Sequence, residues 1–326
     1  MKRFKQILCV VDSRDGAKTA LERAVSLAEN NQARLKVFVV VENISVAPEM
    51  LSGGPSADEL MLAAVEMWTR DLETLVKPYW SRIAIEIEVS VGVVFLETIR
   101  DVLRHAHDLV IKTAEPQDWL DRLLGSSDMH LLRKCPCPVW IIKPNAPNSH
   151  RRILVAVDVD DACPPRELAA RRALNQEALE LAGSLAISEF AELHVVNVWQ
   201  APGEGMLRRS FLNAPDDELD SYVNDIRCRH ELILDTIIAE LTSKLGAAAE
   251  EYRIPQLHLV EGAARREIPA LAKRIDADLI VMGTVARTGV PGFIMGNTAE
   301  TILGQIDCSV LAIKPPGFVT PVTLRG

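Results

Sequence analysis

Ala277-Asp-Leu-Ile-Val-Met-Gly-Thr-Val-Ala-Arg-Thr-Gly-Val-Pro-Gly-Phe-Ile-Met-Gly-Asn-Thr-Ala299 is the stretch that decides the fold. Leu279 to Met282 is a short apolar run, the pattern of a strand buried on both faces. The glycine-bearing segment that follows reads as a loop. Asn297 then opens a helix, where its side chain is suited to capping the first turn. A strand, a loop and a helix N-terminus in that order aim unpaired backbone N–H groups and a helix dipole at one spot, which makes an anion site.

Working outward, the strand belongs to a repeat. Ile7-Leu-Cys-Val-Val-Asp12 returns as Ile153-Leu-Val-Ala-Val-Asp158, and His107-Asp-Leu-Val-Ile111 returns as Ala277-Asp-Leu-Ile-Val281. Val139-Trp-Ile-Ile-Lys-Pro144 returns as Val310-Leu-Ala-Ile-Lys-Pro315 in the same order. The repeat predicts a first domain over 1–144, a linker over 145–150 and a second domain over 151–326. Pro147 and its polar neighbours discourage regular structure in the linker.

Within each copy, short apolar runs alternate with stretches of helical periodicity. Ala17, Ala20, Leu21, Ala24, Leu27 and Ala28 form one helical stripe; Met61, Ala64, Trp68, Leu72 and Leu75 form another. The strands between them are expected at Leu35–Val41, Ile85–Val91 and Leu109–Ile111, and at Leu193–Val198 and Leu257–Val260 in the second copy. Strands alternating with helices imply a parallel sheet covered on both faces, and right-handed crossovers make each domain doubly wound and Rossmann-like. The ligand crevice of such a sheet lies beyond the strand C-termini, where Asp12, Asp158 and Gly283 fall.

Composition narrows the function classes. The chain of 326 residues is 48% hydrophobic and 25% charged, enough for two ordinary cores and unlike a disordered chain. A net charge of −9 argues against nucleic acid, which needs clustered cations; Arg151–Arg152, Arg171–Arg172 and Arg208–Arg209 read as solvated faces. The chain has no bilayer-length apolar run. Its basic start reaches Asp12 without a signal peptide's apolar core, so a cytoplasmic protein without membrane partners is expected. The six cysteines are expected as thiols.

Asp278-Leu-Ile-Val-Met-Gly-Thr-Val-Ala-Arg-Thr-Gly289, Gly296-Asn-Thr-Ala-Glu300, Cys308-Ser-Val-Leu-Ala-Ile-Lys-Pro315 and the Thr320-Pro-Val322 tail resemble the universal stress proteins of the UspA superfamily. In the first copy, His130-Leu-Leu-Arg-Lys-Cys-Pro-Cys-Pro-Val-Trp140 resembles the tandem, UspE-like type. The resemblance covers essentially the whole chain. It implies two adenine nucleotide alpha hydrolase-like domains of five parallel strands, paired through their last strands as an intramolecular pseudo-dimer. It also implies a stress-response protein without metabolic turnover, in a family where some members bind ATP or AMP.

The family's phosphate loop runs Gly, two residues, Gly, nine residues, Gly, then Ser or Thr. Here those positions are Gly283, Ala286, Gly296 and Asn297. Carried over, the resemblance makes Asp158 the nucleoside contact. Val195, Met282 and Gly283 become walls of an adenine slot; Gly296, Asn297 and Thr298 become phosphate donors, with Arg287 beside them. The expected ligand in the second domain is ATP or AMP, with Mg²⁺ if ATP. Two alternatives stay open: an apolar or lipid-like occupant, and a weak ATPase or autophosphorylation on Thr284, Thr288 or Thr298. In the first domain, Lys112 and Thr113 stand where Met282 and Gly283 do. Glu115 or Pro116 falls at the second glycine, so no nucleotide is expected despite Gly125-Ser126, and Asp12 reads as a strand-end cap or turn residue.

Other motifs read as structural. Cys135-Pro-Cys137 lacks a second ligand pair and sits at a strand entrance. His105 and His107 lie near a helix end, where a cationic or capping role is common, and no metal is expected on that pair alone. Trp68, Trp80 and Trp199 are expected in core or inter-domain packing, with the lining of an apolar cavity as the alternative. No nucleophile–base set can be assembled. Protein partners stay unnamed, and further pairing into a homodimer remains open.

Overall fold

The apolar runs of the repeat become ten strands of one sheet among the residues described by the computed structural model: 4–12, 14–43, 56–114, 127–144, 146–161, 163–208, 216–245, 255–284 and 295–324. The first half runs β1 (Gln6–Val11), α1 (Arg14–Asn31), β2 (Arg34–Val41), α2 (Ala57–Val76), β3 (Ile85–Val91), α3 (Val94–His105), β4 (Leu109–Thr113), α4 (Ser127–Lys134) and β5 (Val139–Ile142). The second half runs β6 (Arg152–Ala156), α5 (Pro165–Glu189), β7 (Glu192–Trp199), the short α6 (Glu204–Leu207), α7 (Asp216–Leu245), β8 (Gln256–Glu261), α8 (Ala264–Arg274), β9 (Leu279–Gly283), α9 (Asn297–Leu303) and β10 (Ser309–Ile313).

The strand order is β3-β2-β1-β4-β5-β10-β9-β6-β7-β8. Every pair within a half is parallel, and β5 pairs with β10 antiparallel, setting Trp140 opposite Leu311. The arrangement is compatible with an intramolecular pseudo-dimer joined through the last strands. Each half reverses winding between its first and fourth strands, at β1/β4 and β6/β9, the place where such sheets form a crevice.

The strands are apolar on both faces because both faces are covered. Leu21, Val37, Leu179 and Val195 belong to one buried layer under α1, α2, α5 and α7. Leu8, Ile99, Leu132, Ile268 and Leu303 belong to the layer on the opposite face, under α3, α4, α8 and α9. The halves also share their helix endings. Gln32 and Phe190 stop α1 and α5 in the left-handed conformation at φ 54° and 57°; Ala106 and Asp276 follow α3 and α8 at 53° and 51°.

Two expectations change with the fold. Trp199 is buried and Trp68 half-buried against the core, but Trp80 is 52% exposed beyond α2 and is no core residue. Residues 146–150 carry no helix or strand, yet His150 is buried, hydrogen-bonded to Glu189 and stacked on Trp140 at 5.6 Å. The six cysteines are free thiols, with Cys135 and Cys137 buried 3.6 Å apart. Among the described residues no helix is long and apolar enough to cross a membrane.

Candidate functional site

A crevice of about 560 Å³ opens beyond the C-terminal ends of β6, β7 and β9. Asp158, Met282, Gly283, Gly296, Asn297 and Thr298 all line it. Arg287, with Ala286 and Thr288, lies outside the described residues. Val195 does not line the crevice. It is fully buried in mid-strand, three residues short of Val198 and four short of Trp199, which do reach the site. A crevice beyond strand ends is walled by the strands' last residues.

The sequence folds to hold Asp158 in place. Its backbone N–H donates to Asn175 Oδ1 at 3.1 Å and its carbonyl accepts from Asn175 Nδ2 at 2.7 Å. With both backbone groups pinned by α5, the carboxylate is left 61% exposed toward the crevice, 3.2 Å from Arg171 Nη1. Surrounding protein displaces water and raises its pKa, and Arg171 opposes the rise. Arg171, expected as a solvated face, is largely buried and also bonds Glu167 and the Asp160 carbonyl.

A second polar chain supports the next strand. Asn197 Nδ2 donates to the Val157 carbonyl at 3.1 Å, and Asn197 Oδ1 lies 3.0 Å from His230 Nδ1 on α7. Burial lowers the pKa of His230, which favours the neutral ring near pH 7. The family pattern carried none of these polar residues to the site. Asn197 was findable as a polar residue interrupting the apolar run Val195-Val-Asn-Val-Trp199; Asn175 and His230 lay hidden in helical sequence.

The helix entry is built differently from expectation. Gly296 is the N-cap and Asn297 the first helical residue, with no side-chain capping bond. The Gly296 N–H donates to the Thr284 carbonyl at 3.2 Å, so the fold consumes that donor. Asn297 and Thr298 remain exposed at the rim. Thr284 is buried, and its hydroxyl accepts from Lys314 Nζ at 2.6 Å. Gly283 makes room for a side chain: a Cβ there would fall well inside van der Waals contact of Leu174 Cδ2 and 3.1 Å from Cγ.

The first half fills its equivalent place with an ion cluster. Lys112, at the register position of Met282, is 1% exposed and pairs with Asp12 and with Asp128 Oδ1 at 2.7 Å. Asp12 is thus an ion-pair partner, which replaces the expected cap or turn role. Burial works against the Lys112 charge, but Asp128 and Asp12 outweigh it and raise the pKa. Glu115, Pro116, Gly125 and Ser126 lie outside the described residues.

Two doubly wound units sharing one sheet, with an open crevice at the second switch point, define a tandem α/β protein of the Rossmann-like type. The universal stress protein family model matches residues 3–143 and 149–314, and the chain belongs to that family of stress-response proteins. It is 29% identical over 328 residues to universal stress protein E of Escherichia coli K12, covering 99% of this chain and 98% of the relative. A homolog of universal stress protein E from Haemophilus influenzae is 29% identical over 324 residues, covering 96% and 98%. Among solved structures, a putative universal stress protein from Pseudomonas aeruginosa UCBPP-PA14 superposes with TM-score 0.67 at 25% identity, covering 96% of this chain and 94% of its own. A functionally unknown protein of Pseudomonas aeruginosa PAO1 gives 0.68 at 26%, covering 96% and 93%. The tandem, UspE-like resemblance read from the motifs is borne out.

Proposed function

We propose that the second half's crevice binds an adenine nucleotide, ATP or AMP, and that the chain acts as a stress-response binding protein without metabolic turnover. The observation that carries this reading is one open crevice bringing together Asp158, Met282, Gly283, Asn297 and Thr298 at the sheet's switch point. Its volume lies in the range of small-molecule sites. Asp158 is the acceptor for ribose hydroxyls, its backbone already immobilised by Asn175. Met282 and Val198 supply apolar walls for a base, and Asn297 and Thr298 offer polar groups to phosphate. In the first half, the paired Lys112, Asp12 and Asp128 occupy the corresponding space, so the nucleotide is assigned to the second half alone.

Autophosphorylation at Thr284 fits poorly, because its hydroxyl is buried against Lys314. Isothermal titration with ATP and AMP, with and without Mg²⁺, tests the proposal. One saturable site per chain is expected, weakened about tenfold or more in Asp158→Ala through loss of charge-assisted hydrogen bonds. Absence of heat at millimolar nucleotide refutes it. The apolar wall made by Trp199, Ile226, Ile268 and Ile302 favours a second reading, an apolar or lipid-like occupant. Native mass spectrometry of freshly purified protein tests the second reading: a retained apolar mass supports it, and a clean spectrum counts against it.

A further inference from the structure

At the opposite edge of the sheet, by the amino ends of β2 and β4, the first half gathers a polar cluster that its twin lacks. Asp101 sits in the last turns of α3 with no exposed side-chain surface, and His105 follows one turn later. Ala106 then takes the left-handed conformation and turns the chain back, so that His107 faces the same carboxylate from outside the helix. His105 Nδ1 lies 2.9 Å from Asp101 Oδ1, and His107 Nε2 lies 3.0 Å from Asp101 Oδ2. One ligand atom from each of the three residues falls within 4.8 Å of the others, the single such group among the described residues.

We propose that Asp101, His105 and His107 bind one divalent transition-metal cation of the zinc class. Zinc takes imidazole nitrogen and carboxylate oxygen at about 2.0–2.2 Å, which puts neighbouring donors in a tetrahedral site roughly 3.3 Å apart. The two histidine–aspartate separations, 2.9 and 3.0 Å, fall only a few tenths of an ångström short of that. Two imidazoles with one carboxylate suit zinc and its neighbours rather than magnesium or calcium, which prefer all-oxygen sets. Three protein ligands leave a fourth position for water.

Charge supplies an independent argument. Lys36 reaches into the cluster, 2.8 Å from Asp101, 2.5 Å from Glu88 and 3.6 Å from Glu86. Of these three carboxylates only Asp101 is fully buried, and a cation held there meets a surrounding in which carboxylates outnumber the one lysine. Lys36 keeps Glu88 and Glu86 as partners if Asp101 turns to the metal.

The second half shows the same frame without the site. Counting from the shared left-handed residues Ala106 and Asp276, the positions of Asp101, His105 and His107 carry Leu271, Ile275 and Ala277. Lys36 and Glu88 are replaced by His194 and His258, stacked with Nδ1 and Nε2 3.0 Å apart. The fold therefore does not require a three-ligand cluster at this corner.

The test is Zn²⁺ titration of the full chain, stripped of metal with chelator, against a chromophoric zinc competitor at pH 7.5. Co²⁺ absorption spectra report the coordination geometry. One Zn²⁺ per chain is expected, with affinity falling tenfold or more in His105→Ala and in Asp101→Asn. Asp101→Asn leaves Lys36 short of a partner and could impair folding. His105→Ala removes a half-exposed ring and keeps the core, so it decides alone if the other variant does not fold. No zinc uptake by the wild type overturns the proposal. Uptake unchanged in His105→Ala also overturns it, because the metal then sits elsewhere, for instance on the His194–His258 pair.

Discussion

Gly283 and Leu174 exchange bulk with their counterparts across the repeat, and that exchange shapes the crevice. In the second half, the missing Cβ of Gly283 leaves room for Leu174 of α5. In the first half, Thr113 stands at the strand position and Gly16 at the helix position, with the Thr113 hydroxyl donating to the Gly16 carbonyl at 2.8 Å. The sequence pattern marks Gly283 as a ligand-facing glycine; the structure adds an internal reason for it. Gly283→Ala makes the tip of Leu174 give way, a destabilisation of about 1 kcal/mol, the low end of the overpacking range because that tip borders the open crevice. Urea denaturation of Gly283→Ala, Leu174→Ala and the double variant measures this, and the double variant should recover part of the loss as a coupling energy. Equal costs in the presence and absence of Leu174 would show that the glycine serves something else. Residue assignments of this kind were only half legible. Met282, Gly296, Asn297 and Thr298 reach the crevice as read from the motif. Val195 was misplaced because a strand's position is readable from its apolar run, whereas its depth below the sheet edge depends on where neighbouring strands stop. Asp101 was missed because an acidic residue in a helical stripe looks solvated until the chain folds back on it.

At the scale of elements, the fold was largely written in periodicity. The apolar runs and helical stripes of both halves became β1–β10 and their covering helices, since burial on two faces leaves little choice of period. The pattern did not show what a strand end does once its loop has diverged. One residue before its end β4 carries Lys112 where β9 carries Met282, and the lysine gathers Asp12, just past β1, and Asp128 from α4 into one cluster. That cluster ties three elements together at the place where the other half stays open. Lys112→Met should cost about 3–5 kcal/mol, because it removes the cation shared by Asp12 and the buried Asp128, while Lys112→Met with Asp12→Asn should recover part of that. Chemical denaturation of the three chains measures both. A neutral Lys112→Met substitution would mean that water already satisfies the carboxylates. If the recovered chain then bound nucleotide in its first half, the ion cluster rather than the altered loop would be what closes that site.

Across the whole molecule, the seam between halves is made by few but deeply placed groups. Trp140 and Leu311 face each other at the centre of the β5–β10 pair, Arg133 bonds Glu300 at 2.9 Å, and Arg23 reaches Glu189 while lying over Trp140. Lys314, just past β10, is the most exacting of them. Its ammonium group donates to the Leu132 carbonyl of the other half and to Thr284 under the crevice floor. The repeat places Lys143 at the equivalent position, half-exposed and paired with Asp307 at 2.7 Å, but no ion pair forms on Lys314 among the described residues. Burial therefore lowers the Lys314 pKa to about 7, in contrast to Lys112, whose two aspartates raise it. The unfolded chain holds the lysine proton up to the ordinary pKa of about 10.4. Between about 7 and that value the unfolded state binds more protons than the folded state, so stability rises with pH, by at most about 1.4 kcal/mol per unit from this group. Below about pH 7 both states are protonated, and the cost of the buried charge is constant. Urea midpoints measured from about pH 7 to pH 9 should climb in the wild type and climb less in Lys314→Met, which removes the titrating group while keeping the stem's volume. Parallel slopes in the two proteins would show that Lys314 keeps its charge by opening the seam to water, and that the halves are less firmly joined than the continuous sheet implies.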